Sequence, residues 1–214
     1  MKEPYSFHNI ISDQSNSFAL AVARILANGD SEMNPIMLYG PSGIGKTHIA
    51  FSVSNAFEND NKIVVYTNAQ TILEEILEYE GSINELYSQR KNTELLIVEN
   101  CDYLSGKLSS QELFSQFILS LVKSETQVLI ISTLTPDKLP VISKVLFDDN
   151  ERHCLQVYIG KPSDKLKEQY LFRTVKDLQL SINESLCKKI ISECEILPEI
   201  HSILSILKFR NLYN

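Results

Sequence analysis

The chain has 214 residues, room for one domain and a small appendage. Hydrophobic residues make up 43% and charged residues 22%, an ordinary globular balance with enough apolar matter for a core. The net charge of −7 argues against a protein that holds nucleic acid unaided, because such proteins present a basic face.

The N-terminus, Met1-Lys2-Glu3-Pro4, carries no apolar run and so no secretory signal. Phe18, Val22, Ile25 and Leu26 recur at helical spacing, and Asn28-Gly29 stops that helix. Ile36–Tyr39 reads as a buried strand. Gly40–Gly45 breaks the pattern, and Lys46–Phe57 resumes it as a helix. Lys62–Thr67 is a second strand, rich in β-branched residues. A helix follows with Ile72, Leu73, Ile76 and Leu77 on one face. Leu95–Val98 is a third strand, ending on Glu99-Asn100. Ser109 and Glu112 have the spacing of a capping box and predict the start of a helix there. Val128–Ile131 is a fourth strand, ending on Ser132-Thr133, and Leu155–Ile159 is a fifth.

Strands alternating with helices predict an α/β fold, a parallel sheet of five strands covered on both faces. After Lys161-Pro162 the strands cease. Ser163 is predicted to cap one helix and Ser181 another, and a third begins near Pro198. The expected organisation is therefore an α/β domain over 1–161 and a small three-helix lid over 162–214. The four cysteines show no C-x-x-C pairing and no zinc spacing, as expected of reduced thiols in a cytoplasmic protein. No stretch approaches the about 18 apolar residues of a membrane span.

Gly40-Pro41-Ser42-Gly43-Ile44-Gly45-Lys46-Thr47 fits G-x-x-x-x-G-K-[ST] at every fixed position. The glycines let backbone N–H groups approach phosphate oxygens, and the following helix adds its positive end. Lys46 is placed to reach the β and γ phosphates, and the Thr47 hydroxyl to ligate magnesium. The loop follows a predicted strand and opens a predicted helix, the context such a motif needs. The expected ligand is ATP or ADP with Mg2+. Glu99, at the end of the third strand, is expected to hold the magnesium ion with Thr47. Many ATPases place a second carboxylate next, to orient or deprotonate the attacking water. Here that residue is Asn100, which can position water but cannot take its proton. Asp102, two residues further on, is the candidate substitute for that acid, although its place in the sequence points it elsewhere. Slow hydrolysis is the expectation.

The chain resembles the AAA+ module of the bacterial replication initiator DnaA and its shorter relative Hda. Tyr5-Ser6-Phe7-His8-Asn9 is similar to the family's Y-x-F-x-N segment. Asn34 through His48 is similar to its N-P-L-x-x-Y-G…G-K-T-H stretch, and Leu95–Leu104 to its L-L-I-D-D-I-Q-F-L block. The resemblance implies a lid closing over the nucleotide, His48 at the phosphate loop, and Tyr5, Phe7 and Asn9 near the adenine. For those last three, a packing staple is an equal reading.

The departures are as informative. The family's Asp-Asp pair is Glu99-Asn100 here. Ser132 and Thr133 are candidates for the polar sensor, and Leu134 replaces the usual Asp. Arg152 is the one arginine in the segment where the family carries a finger reaching a neighbour's ATP; a surface charge is as good a reading. Pro198-Glu199-Ile200 stands where a lid arginine is expected. No helix-turn-helix pattern follows the lid. The resemblance therefore implies a nucleotide-dependent module docking on another AAA+ protein, a DnaA-like initiator or a second copy of itself. The alternative is an active ATPase of the helicase-loader type.

Overall fold

Five apolar runs become strands; helices bury both faces of the three central ones, which suits near-continuous hydrophobic sequence, while the two edge strands are part-buried. The five are β1 (Ile36–Tyr39), β2 (Val64–Asn68), β3 (Leu95–Glu99), β4 (Gln127–Ser132) and β5 (Leu155–Tyr158). The computed structural model describes residues 5–29, 32–78, 90, 92–148 and 154–213. Every strand pairing is parallel, in the order β2-β3-β4-β1-β5. The expected doubly covered five-stranded sheet is the observed one.

The register brings several strand ends to one edge. Tyr39 of β1 lies level with Ser132 of β4 and Tyr158 of β5, and Asn68 of β2 lies level with Glu99 of β3. The loop after β1 therefore emerges beside the ends of β4 and β5. Ligands of open parallel sheets bind at such carboxyl ends, where the chain switches direction across the sheet.

Helices α1 (Ser17–Ala27) and α2 (Lys46–Asn59) cover one face. Leu20, Leu26, Ile49 and Val53 pack there with Ile36, Leu38, Ile97 and Leu129. Helices α3 (Ala69–Glu78) and α4 (Leu108–Val122) cover the other, where Ile72, Phe114 and Phe117 meet Met37, Leu96 and Ile130. Alternate residues of β1 thus feed opposite cores, as a pleated strand requires. Phe114 and Phe117 are fully buried, each contributing about 1.5–3 kcal/mol of apolar transfer.

Three further helices follow β5: α5 (Asp164–Asp177), α6 (Glu184–Glu193) and α7 (Leu197–Tyr213). They enclose a separate cluster of Leu171, Cys187, Ile190, Cys194, Ile200 and Leu204. The Lys167 ammonium donates to the carbonyls of Ile191 (2.8 Å) and Cys194 (3.1 Å), satisfying groups that the end of α6 leaves open. Ser163 caps α5 as expected, its hydroxyl accepting from the Leu166 amide. All four cysteines are free thiols. Among the described residues no helix is long and apolar enough to cross a membrane.

Two expected helix starts are corrected. Ser109 and Glu112 form no capping box, because α4 begins earlier, at Leu108. A tight turn at Gly106 (φ 74°) starts the helix early, and the buried Gln111 side chain ties its first turn to the Leu104 carbonyl. Ser181 does not cap α6. Gln179 adopts a left-handed backbone (φ 55°) after α5, the helix resumes only at Glu184, and Asn183 accepts from the Leu186 amide at 2.8 Å.

Candidate phosphate-binding site

A cavity of about 390 Å³ opens at the carboxyl edge of the sheet. That is within the usual range for small-molecule sites. Its lining includes Ser42, Gly43, Gly45, Lys46, Thr47 and His48 from the loop and α2. Glu99, Asn100 and Asp102 enter from the end of β3, and Ser132 and Thr133 from the end of β4. Tyr170, Leu197 and Pro198 close the lid side.

At two places the loop has both a backbone that favours glycine and no room for a side chain. Gly40 has φ 148°, and a Cβ there would lie 2.2 Å from the Ile159 carbonyl oxygen. Gly43 has φ 76°, and a Cβ there would lie 2.5 Å from Cδ1 of Ile196, between α6 and α7. The first glycine lets the loop leave the sheet; the second lets the lid rest on the loop. Gly40, Pro41 and Ile44 shape the loop from behind and do not line the cavity.

Lys46, the first residue of α2, is buried at 6% exposure and donates from Nζ to the carbonyls of Gly40 and Pro41, both at 2.7 Å. Burial lowers its pKa, opposed by the negative charges of Asp102 and then Glu99. The ammonium thus folds back on its own loop, within reach of anything seated there. Next to it, the Thr47 hydroxyl donates to Glu99 Oε1 at 2.7 Å. These are two hard oxygens at the mouth of the loop. Among the described residues no cluster of three or more His, Cys, Asp or Glu side chains could hold a metal by itself. A magnesium ion needs no such cluster, since it is usually held by one or two protein oxygens together with phosphates and water. The Thr47–Glu99 pair fits that requirement.

Beside Glu99 lies Tyr66, whose hydroxyl is buried and faces that carboxylate. Burial first, and then the Glu99 carboxylate, raise its pKa well above the ordinary phenol range. His48 has a buried Nε2 without a partner. Burial lowers its pKa, the Ser6 backbone works the other way, and the charge of Arg173 lowers it further, so the imidazole is neutral at pH 7.

Tyr5, Phe7 and Asn9 do not line the cavity but run alongside it. Tyr5 stacks on Phe51 (5.0 Å between centroids) and meets His48 edge-on at 5.2 Å. Phe7 packs on the α1–α2 core beneath Arg24. Asn9 accepts from Arg173 of α5, 2.9 Å at its carbonyl and 3.2 Å at its side chain. The leading segment thereby straps the lid to the sheet domain. Arg152 lies outside the described residues.

Asp102 does not point away as its sequence position suggested. Asn100 takes a left-handed backbone (φ 54°), and the turn that follows aims Asp102 at the end of β4. Oδ1 accepts from the Ser132 hydroxyl and the Thr133 amide, both at 2.7 Å, and Oδ2 from the Thr133 hydroxyl at 2.5 Å. Burial works to raise its pKa, yet these bonds outweigh it and hold the carboxyl below its usual range. The sensor candidates and this carboxylate are one unit. The sequence signal for it was a single acid three residues after Glu99, with nothing local to say where it turned.

The sequence profile of the bacterial DnaA ATPase domain matches residues 1–151. The chain belongs to the bacterial DnaA ATPase domain family. The DnaA initiator of Methylacidiphilum infernorum is 28% identical over 187 residues, 85% of this chain and 41% of the relative. That of Aquifex aeolicus is 27% identical over 207 residues, 95% of this chain and 51% of the relative. The chain thus spans about half, or less, of the curated DnaA relatives it matches. A solved replication initiator DnaA bound to AMPPCP and single-stranded DNA superposes with a TM-score of 0.81 at 26% identity, over 96% of this chain and 65% of that one. This is a DnaA-like AAA+ module, and its departures from the DnaA pattern at Glu99-Asn100 and Pro198 fall on the cavity wall.

Proposed function

We propose that this AAA+ module is a nucleotide-dependent docking element that binds ATP or ADP with magnesium and hydrolyses ATP slowly. The single observation behind slow hydrolysis is the state of the acids around the cavity. Glu99 is paired with Thr47, Asn100 cannot take a proton, and Asp102 accepts from three donors and is held below the usual carboxylate range. A general base works best with a pKa near the working pH, and Asp102 is tuned the other way. Nucleotide binding is supported by the loop geometry, by the Thr47–Glu99 pair and by the AMPPCP held in the solved DnaA relative.

Bound magnesium would neutralise phosphate charge. The residues of this chain do the rest: Lys46 moves from its loop carbonyls to the phosphates, and Thr47 and Glu99 orient the ion. The lid rests on Gly43 through Ile196 and is strapped through Arg173 to Asn9, so nucleotide in the cavity bears directly on lid position. The two-part division at 161/162 supplies the moving element. The lid surface so set is what another AAA+ subunit would read, either a DnaA-like initiator or a second copy of this chain. The net charge of −7 disfavours unaided binding of nucleic acid, although the solved relative carries single-stranded DNA.

The test is a single-turnover assay with excess protein, γ-labelled ATP and magnesium. The expected result is bound ATP that stays intact for hours, a rate no faster than the order of 10⁻⁴ s⁻¹ typical of unassisted P-loop hydrolysis. Cleavage within seconds, abolished by Asp102→Asn, would instead establish the helicase-loader type of active ATPase.

A further inference from the structure

The hydrogen-bond donors at the end of β4 are already spent. The hydroxyls of Ser132 and Thr133 each carry one proton, and each gives its short bond to Asp102. The Thr133 amide is used on the same carboxylate. The Ser132 oxygen is further occupied by the Leu134 amide at 3.0 Å, so the end of β4 offers the cavity no free donor. Among the described residues lining the cavity, Lys46 is the single cation, set against the carboxylates of Glu99 and Asp102. The lid contributes Tyr170, Leu197 and Pro198, none of them charged. Asp102 also acts on Lys46 more strongly than Glu99 does, so part of the one positive charge is already balanced.

We propose that Asp102 sets the nucleotide specificity of this site: a diphosphate is held by the loop alone, and a triphosphate only when magnesium accompanies it. The inference rests on the nucleotide-binding reading above. The loop amides, the N-terminal end of α2 and Lys46 answer the charge of two phosphates. A third adds negative charge beside a wall that already holds two carboxylates and whose donors at the end of β4 are committed to Asp102. A divalent ion on Thr47 and Glu99 removes that conflict by adding charge of the opposite sign beside it. The low pKa of Asp102 keeps the conflict in force across neutral pH.

The experiment measures equilibrium binding of ATP and ADP to the whole chain, by calorimetry, in EDTA and in excess Mg2+. In EDTA the wild-type protein is expected to bind ADP at least roughly tenfold more tightly than ATP, and Mg2+ to close the gap. Asp102→Asn keeps the shape and removes the charge. It is expected to tighten ATP in EDTA by roughly tenfold and ADP by much less. Equal affinity of the wild-type protein for ATP and ADP in EDTA overturns the proposal before any variant is made. An unchanged ATP-to-ADP ratio in an Asp102→Asn protein that melts like wild type overturns it as well. Both of those outcomes leave the nucleotide site standing. Failure of either nucleotide to bind under any condition overturns the parent reading and this one together.

Discussion

Lys46→Ala is expected to lose ATP and ADP affinity by about 100- to 1,000-fold while leaving the fold almost untouched. Hydrogen bonds to charged groups contribute about 1.5–3 kcal/mol each, and this ammonium is placed to make two of them to phosphates. At the lower end of that range their loss amounts to roughly 3–4 kcal/mol, and each 1.4 kcal/mol is a factor of ten in affinity. The cost to stability is smaller for a specific reason. Lys46 does hold the Gly40 and Pro41 carbonyls, but burial disfavours its charge in the folded state, as its lowered pKa records. Truncation removes two hydrogen bonds and a desolvation penalty together, leaving a net change within about 1 kcal/mol. Calorimetry of nucleotide binding, paired with a thermal melt, separates the two effects. Affinity within threefold of wild type would remove the loop from any account of what this chain binds.

The loop was legible in the sequence because everything that defines it is local: glycines, lysine and threonine at fixed spacing between an apolar strand and an apolar helix. The five strands were legible for the same reason, since burial on both faces leaves continuous runs such as Leu95–Val98. Strand order was not, because nothing within β4 records that it inserts between β3 and β1. The unread part of the site depended on distant partners. Asp102 is directed by the backbone of Asn100 and captured by Ser132 and Thr133, 30 and 31 residues away. Asn100 stands out in the sequence for its missing carboxylate, whereas Asn is also among the few residues that accept a left-handed backbone readily. Asn9 meets Arg173 across 164 residues, so its role as a strap could not be read from either segment. Capping residues recur in turns, so Ser109 and Ser181 do not mark helix starts; the tight turns at Gly106 and Gln179 set them instead.

Gly40→Ala is expected to be the most damaging single-methyl change in the sheet domain, lowering stability by about 3–5 kcal/mol. Two costs combine: a non-glycine residue held at φ 148°, and a Cβ placed 2.2 Å from a backbone oxygen. That oxygen belongs to Ile159, which has little room to retreat. Its amide donates to the Tyr39 carbonyl at 2.8 Å, and the next amide, of Gly160, donates to the Ser15 carbonyl at 3.1 Å. Moving Ile159 aside means opening the β1–β5 ladder at the point where the chain leaves for the lid. Gly43→Ala provides the contrast. Its Cβ would also come too close, at 2.5 Å, but to the tip of the Ile196 side chain, which can rotate. Its cost is about 1–2 kcal/mol, close to the strain of a left-handed alanine, and its consequence is a lid lifted from the loop. For a chain of this length each kcal/mol is about 2–4 °C in Tm, so Gly40→Ala should melt roughly 6–20 °C below wild type. Gly43→Ala should stay within about 8 °C of wild type and bind nucleotide more weakly than its stability alone would suggest. A Gly40→Ala protein melting with wild type would mean that β5 does not run against the loop as the parallel register places it.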